Sequence, residues 1–302
     1  MADNIGSTQE TGASLVRPGI FSKLTGELAR MPVLVITCCV FLLATFFVFI
    51  FAHVLAPQHY AELDLLNRLK APAFMGGSEQ YLLGTDELGR DVLSRLLYAI
   101  RMSIFIALLG TSIGAVLGTF LGFVAAHFRG YAEEVIMMFV DAQASMPFMI
   151  IALAVLAFFG NSFALFIVIM GINGWENYAR IARGMVLGAN AQGYVVAVRS
   201  LGAQPRRIYY RHILPNIASA IIVQFTLNFP STILLETSLS FLGLGIQPPL
   251  TSLGLLLGSG RSYLLFAWWI SVFAGMAIFF TTLSVSILGD WLRDRLDPTL
   301  RR

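Results

Sequence analysis

The sequence predicts an all-α integral membrane protein with six crossing helices, and three observations predict it. Of 302 residues, 57% are hydrophobic and 12% are charged, with mean hydropathy +0.76. A soluble domain has roughly 45–50% apolar and about 25% charged residues. Charge-free runs recur at lengths near the roughly 20 residues that a helix needs to cross the hydrocarbon core. Basic residues gather in alternate connections between those runs. This balance excludes an ordinary cytosolic enzyme, and it excludes disorder, which needs the opposite composition. Cys38 and Cys39 are adjacent in an apolar run. They cannot staple a fold and carry no information on redox compartment.

Taken in order, residues 1–31 form a tail with Arg17, Lys23 and Arg30, and the run 33–52 without a charge gives the first helix, bounded at 32–55. A cleaved signal has a shorter apolar region of about 7–15 residues, so the helix reads as a retained anchor. An external loop, 56–101, follows. A core domain, 102–291, then holds five helices, and 292–302 is a tail. The second crossing is the uncharged run 102–126. The run 142–175 is too long for one crossing and short for two, and Phe159-Gly160-Asn161-Ser162 interrupts it as a turn. The third crossing therefore begins near Val135 and includes Asp141, and the fourth covers about 163–178. The fifth, 217–241, has Glu236 as its one charge, and 262–289 is a charge-free sixth.

Basic residues favour cytoplasmic loops. With the N-terminus inside, fourteen of the 20 Lys and Arg fall on cytoplasmic segments and six outside, which places both termini in the cytoplasm. Four glycines, Gly110, Gly114, Gly118 and Gly122, lie on one face of the second crossing. Small residues permit the close approach that packs helices in lipid. An internal contact is the favoured reading, and a seam against a second membrane subunit stays open. In the external loop, 92–97 has apolar residues at helical spacing and predicts an amphipathic helix lying at the interface. The charges of this region read as a solvated face more readily than as a substrate site.

The loop from Ala179 to Pro215 is long enough to be functional. It carries six arginines interleaved with apolar residues, and Gln204-Pro205 breaks the helical pattern just after Gly202-Ala203. Short helices along the membrane surface, forming a docking knob for a soluble partner, fit this pattern. Anionic lipid is a weaker reading, and nucleic acid weaker still.

Ala197 and Gly202, followed by Ile213-Leu214-Pro215-Asn216, resemble the EAA loop of ATP-binding-cassette importer permeases, with Val196 and Val198 replacing that signature's glutamate and flanking alanine. Leu83-Gly84-Thr85-Asp86-Glu87-Leu88-Gly89-Arg90-Asp91 is similar to a hallmark of the C-type permeases of the peptide/nickel importer family. So are Leu239-Ser240-Phe241-Leu242-Gly243-Leu244-Gly245-Ile246-Gln247-Pro248-Pro249 and the terminal Leu288-Gly289-Asp290 with Asp297-Pro298. Two positions depart from the family pattern: Ala274-Gly275 replaces Pro-Gly, and Leu253-Gly254 replaces Trp-Gly.

The resemblance implies the transmembrane domain of a type I importer in a bacterial cytoplasmic membrane. It implies half of a translocation pathway, completed by a second permease in a heterodimer. Two ATP-binding cassette subunits would bind ATP and magnesium, and an external solute-binding protein would deliver substrate. Tyr194, Ala197, Ser200, Leu201, Gly202, Ala203, Pro205, Arg206 and Pro215 are the coupling residues it implies, with Ala197 and Gly202 at a closely packed centre. Peptides are the substrate class favoured, with nickel chelates, glutathione and opines as alternatives.

The residues agree on the division of labour. A phosphate-binding loop needs Gly-Lys-Ser/Thr, and Lys23 and Lys70 lie in no such setting. Neither a cofactor nor a metal is expected on this chain, since His53, His59, His127 and His212 are scattered. Asp141 and Glu236, ionisable groups at membrane depth, are candidates for the substrate pathway. An ion-coupled secondary carrier is the competing class, but no inverted repeat is evident and the basic loop has no role in it.

Overall fold

A computed structural model describes residues 31–296, and every element is helical. The expectations for Arg17, Lys23, Arg30, Asp297, Pro298, Arg301 and Arg302 lie outside the described residues. Helix α1 spans Val33–Leu55. Its charge-free surface leaves Val33, Leu43 and Phe46 exposed toward the surroundings, while Ala52 is buried against the rest of the chain.

Helix α2, Val92–Phe128, starts at an Asp91 cap whose side chain accepts from Ser94 N at 2.8 Å and from Ser94 Oγ at 2.7 Å. The separate interfacial helix expected at 92–97 does not exist. Those residues are the first turns of the 37-residue α2. The periodicity was real, but nothing breaks the helix between it and the second apolar run, so the boundary expected at 101/102 falls inside one element.

Helices α3, Gly130–Ser145, and α4, Phe148–Phe159, follow. They meet at a 91° bend, where a single third crossing was expected. Pro147 drives Met146 out of helical backbone into an extended conformation. The turn at Gly160 is present, with φ +81°. Ser162 then caps α5, Phe163–Ile172, by accepting from Leu165 N at 3.2 Å. The expected helix at 163–178 is broken at Asn173-Gly174, because Gly174 has φ +81° and a Cβ there would meet the Asn228 amide at 2.4 Å. Helix α6, Trp175–Asn190, begins beyond it.

Helices α7, Gly193–Ser200, and α8, Pro205–Ile208, precede a π-helical turn, Tyr209–Ile213. Helix α9, Leu214–Phe241, accommodates Pro230 within its length. The segment after Gln247-Pro248-Pro249 forms α10, Leu253–Gly260, and α11 covers Trp269–Leu296. The helix thus continues through the first residues of the expected 292–302 tail. Among the described residues, four helices are individually long and apolar enough to cross a membrane, and the bent α3–α4 pair makes a fifth candidate.

Helix α2 is the centre of the packing, with α1, α5, α6 and α9 around it. Its four glycines decide how close α5 and α6 come. A Cβ at Gly110 would lie 2.8 Å from that of Met170, and one at Gly118 would lie 2.1 Å from the Trp175 carbonyl oxygen. At Gly114 and Gly122 the nearest atoms are the carbonyl oxygens of Gly171 and Ala179. The glycine face is therefore turned toward this chain's own helices, which leaves no room there for a second subunit. The departures at Leu253 and Ala274 are core positions, 2% and 0% exposed.

Candidate functional site

The loop between α6 and α9 folds as two short helices over an apolar base. Val195, Ile208, Ile213 and Ile217 are each at most 2% exposed. They join Ala126, Ala182, Val186 and Ala189 in one cluster. The interleaved apolar residues are thus the underside of the loop. Its outer surface presents Tyr194, Val196, Ala197, Arg199, Ser200 and Leu201, with Leu201 87% exposed. Val196 and Tyr194 are exposed on the same short helix.

Gly202 makes the turn between the two helices. Its φ is +79°, and its N–H donates to the Arg199 carbonyl at 3.0 Å, while Ala203 N–H donates to that of Val198 at 3.3 Å. Glycine is required here by backbone conformation, not by crowding, since a Cβ on Gly202 would meet nothing within 4 Å. Ala197 is exposed as well. This corrects the expectation of a closely packed centre at Ala197 and Gly202: within this chain they are the outermost part of the loop. Pro205 begins α8, where its missing N–H costs nothing, and Pro215 occupies the first turn of α9. Arg206 stacks over the Tyr210 ring at 5.9 Å. The whole unit is tied to α2 by His127 Nδ1 and Tyr209 Oη at 2.9 Å, with Phe123 edge-on to the Tyr209 ring.

The arginines divide into two sets. Arg180 pairs with Asp141 at 2.8 Å, and Arg183 Nε donates to Glu133 at 2.6 Å, joining α6 to α3. Among the described residues, Arg199, Arg206, Arg207 and Arg211 form no ion pair with a carboxylate. Arg199 donates to the Asn190 side chain at 3.0 Å.

The two candidate pathway carboxylates fare differently from expectation. Asp141 is an exposed ion-pair partner on α3. Glu236 is completely enclosed, accepting from Ser103 Oγ at 3.0 Å and Ser240 Oγ at 2.8 Å. Ser103 Oγ in turn accepts from Leu253 N–H at 3.0 Å. Glu236 therefore links the start of α10 to α2 and α9 through Ser103. Ser103 was not singled out in the sequence; Ser240, one turn from Glu236 on the same helix, was the local signal for a donor to the buried acid.

The motif ahead of α2 also departs from the solvated face expected of it. Asp86 is 0% and Arg95 3% exposed. Asp86 pairs with Arg95 and, at 2.7 Å, with Arg90 Nε. Arg90 also reaches Glu87 at 3.0 Å. Asp86 Oδ1 accepts from the backbone N–H groups of Leu88 and Arg90, and Trp269 Nε1 donates to the Thr85 carbonyl at 3.1 Å. The motif is a buried charge cluster that caps the N-terminal end of α2. The Asp91-x-x-Ser94 spacing was the signal that could have placed the helix start. Among the described residues no group of three or more His, Cys, Asp or Glu is placed to hold a metal ion.

Residues 116–302 match the family described as the binding-protein-dependent transport system inner membrane component. The chain is 37% identical to the di/tripeptide transport system permease protein DppC of Pseudomonas aeruginosa, over 86% of both chains. It is 38% identical to the glutathione transport system permease protein GsiD of Escherichia coli, over 88% of this chain and 86% of that one. Its fold is shared with a chain of the inward-facing MetNI methionine ABC transporter, at TM-score 0.56 and 16% identity, covering 67% of this chain and 96% of that one. The chain belongs to the binding-protein-dependent transport system inner membrane components. It is a multi-pass permease of the bacterial inner membrane.

Proposed function

We propose that the chain is one of two permease subunits of an ATP-driven importer of di- and oligopeptides. It crosses six times, as α1, α2, the α3–α4 pair, the α5–α6 pair, α9 and α11, with both termini in the cytoplasm. A second permease completes the pathway, an external solute-binding protein presents the substrate, and two ATPase subunits that bind ATP and magnesium grip the α7–α8 loop. Closure of the ATPases displaces that loop, and the crossings exchange outward- and inward-open states.

One observation carries this reading: the loop buries Val195, Ile208 and Ile213 against its own helices while leaving Leu201 and four carboxylate-free arginines outside. Such a unit is held firmly from within and is incomplete on its outer side. A glutathione substrate is the second reading, supported by the GsiD relatives; glutathione is itself a small peptide, so both use one pathway chemistry.

Gly202→Trp tests the coupling role. The positive φ at Gly202 is strained for any L side chain by roughly 1–2 kcal/mol, and the indole would project from the contact surface. Assembly in the membrane is expected to persist, measured by co-purification of the second permease, while substrate-stimulated ATP hydrolysis and uptake of a labelled dipeptide both fall at least tenfold. Uptake at the original rate would overturn the assignment.

A further inference from the structure

We propose that a trough between α2 and the start of α9 binds an anionic phospholipid, one acyl chain lying along the trough and the phosphate held at Arg206. The cavity is about 570 Å³ and is walled by Val116, Phe120, Phe123, Leu214 and Ile221. Polar groups occur mainly at one end, where His127, Arg206, Tyr209 and Tyr210 close it. No acidic side chain lines it, so the guanidinium meets no competing carboxylate in the trough. Arg207 and Arg211 are exposed on the same short stretch of chain as Arg206.

Length and charge point to a lipid as the occupant. The lining of α2 runs from Ala115 to Phe128, about 20 Å at 1.5 Å per residue. That is the depth of one leaflet with its interface, given a hydrocarbon core of about 30 Å for two. The trough is an open groove along that length, and its apolar wall with a single cationic end matches a hydrocarbon chain lying lengthwise below a phosphate. Val116 and Phe120 are 71% and 61% exposed, which is the apolar surface such a chain would cover. The trough shares Tyr209 and Arg206 with the α7–α8 loop, so a lipid seated there touches the residues that join this loop to α9. The inference needs the chain to lie in the membrane and does not depend on the loop coupling to an ATPase.

The test uses the assembled transporter, delipidated in detergent and equilibrated with equal amounts of phosphatidylglycerol and phosphatidylcholine, with retained lipid counted by native mass spectrometry. One arginine at an anionic surface is expected to favour phosphatidylglycerol about fivefold. Arg206→Glu is expected to abolish the preference, and Val116→Trp, which fills the trough and leaves Arg206 in place, to lower retention of phosphatidylglycerol. Equal retention of the two lipids by the unaltered protein would overturn the proposal. So would a preference unchanged in both variants, displacement of the lipid by soluble glycerol phosphate, or a Phe120→Cys cross-link to the second permease.

Discussion

Two charge-rich segments at opposite ends of α2 solve opposite problems. The one at its N-terminal end, around Asp86, Arg90 and Arg95, pairs its charges within the chain and buries them. The loop of α7 and α8 does the reverse, burying Val195, Ile208 and Ile213 while leaving Leu201 and arginines without carboxylates outside. Both read as charged, amphipathic stretches in the sequence. The difference lies in acid content: the first segment supplies Asp86 and Glu87 for its own arginines, whereas residues 190–215 contain no acid at all. A segment that brings its own counter-charges completes itself. One that brings a single sign is finished by something else.

The strongest way to break this contrast is at Asp86. Asp86→Ala strands Arg95 and much of Arg90 in a buried site, and loss of one partner of a buried pair costs roughly 3–5 kcal/mol. The variant is expected to fall sharply in membrane abundance and to melt well below the parent when the solubilised complex is heated. An unchanged melting midpoint would mean the cluster is not structural.

A smaller effect is expected at Asp64, in the same region ahead of α2. Hydrogen bonds from Asn67 and Tyr81 hold its carboxyl below the usual carboxylate range. A lowered folded value stabilises the protein above the ordinary aspartate pKa of about 3.9 and is lost as pH falls through the folded value. Melting midpoints of the complex should therefore drop more steeply below about pH 4 in the parent than in Asp64→Asn. Superimposable profiles would remove Asp64 from the account.

The smallest change in stability belongs to the other segment. Leu201→Ser alters a side chain that is 87% exposed, so stability should shift by no more than about 0.5 kcal/mol. Substrate-stimulated ATP hydrolysis by the assembled transporter should nevertheless fall. If Leu201→Ser melted as low as Asp86→Ala, the two regions would not differ as described.

The sequence makes the apolar helices legible because charge-free length is a local property; α1, α2, α9 and α11 follow from it directly. Breaks set by backbone geometry were partly legible: Gly160 announced itself beside Asn161-Ser162, whereas Pro147 and Gly174 sat inside apolar runs whose hydropathy outweighed them. Partnerships between distant residues were not legible. Glu236 with Ser103, at a separation of 133 residues, and Trp269 with Thr85, at 184, come together only through the packing of α2 against α9 and α11. The glycine face suggested close approach in the sequence, and the helices it faces, α5 and α6, are identified only by the fold.

Helix α2 is a single shaft of 37 residues, about 55 Å from end to end. One end is clamped by Asp91 and the Asp86–Arg95 pair, the other by the His127–Tyr209 contact. Its glycine flank is seated on α5 and α6, and no break lies between its two clamped ends. Under the coupling proposed above, a push on Tyr209 is therefore carried along one uninterrupted helix.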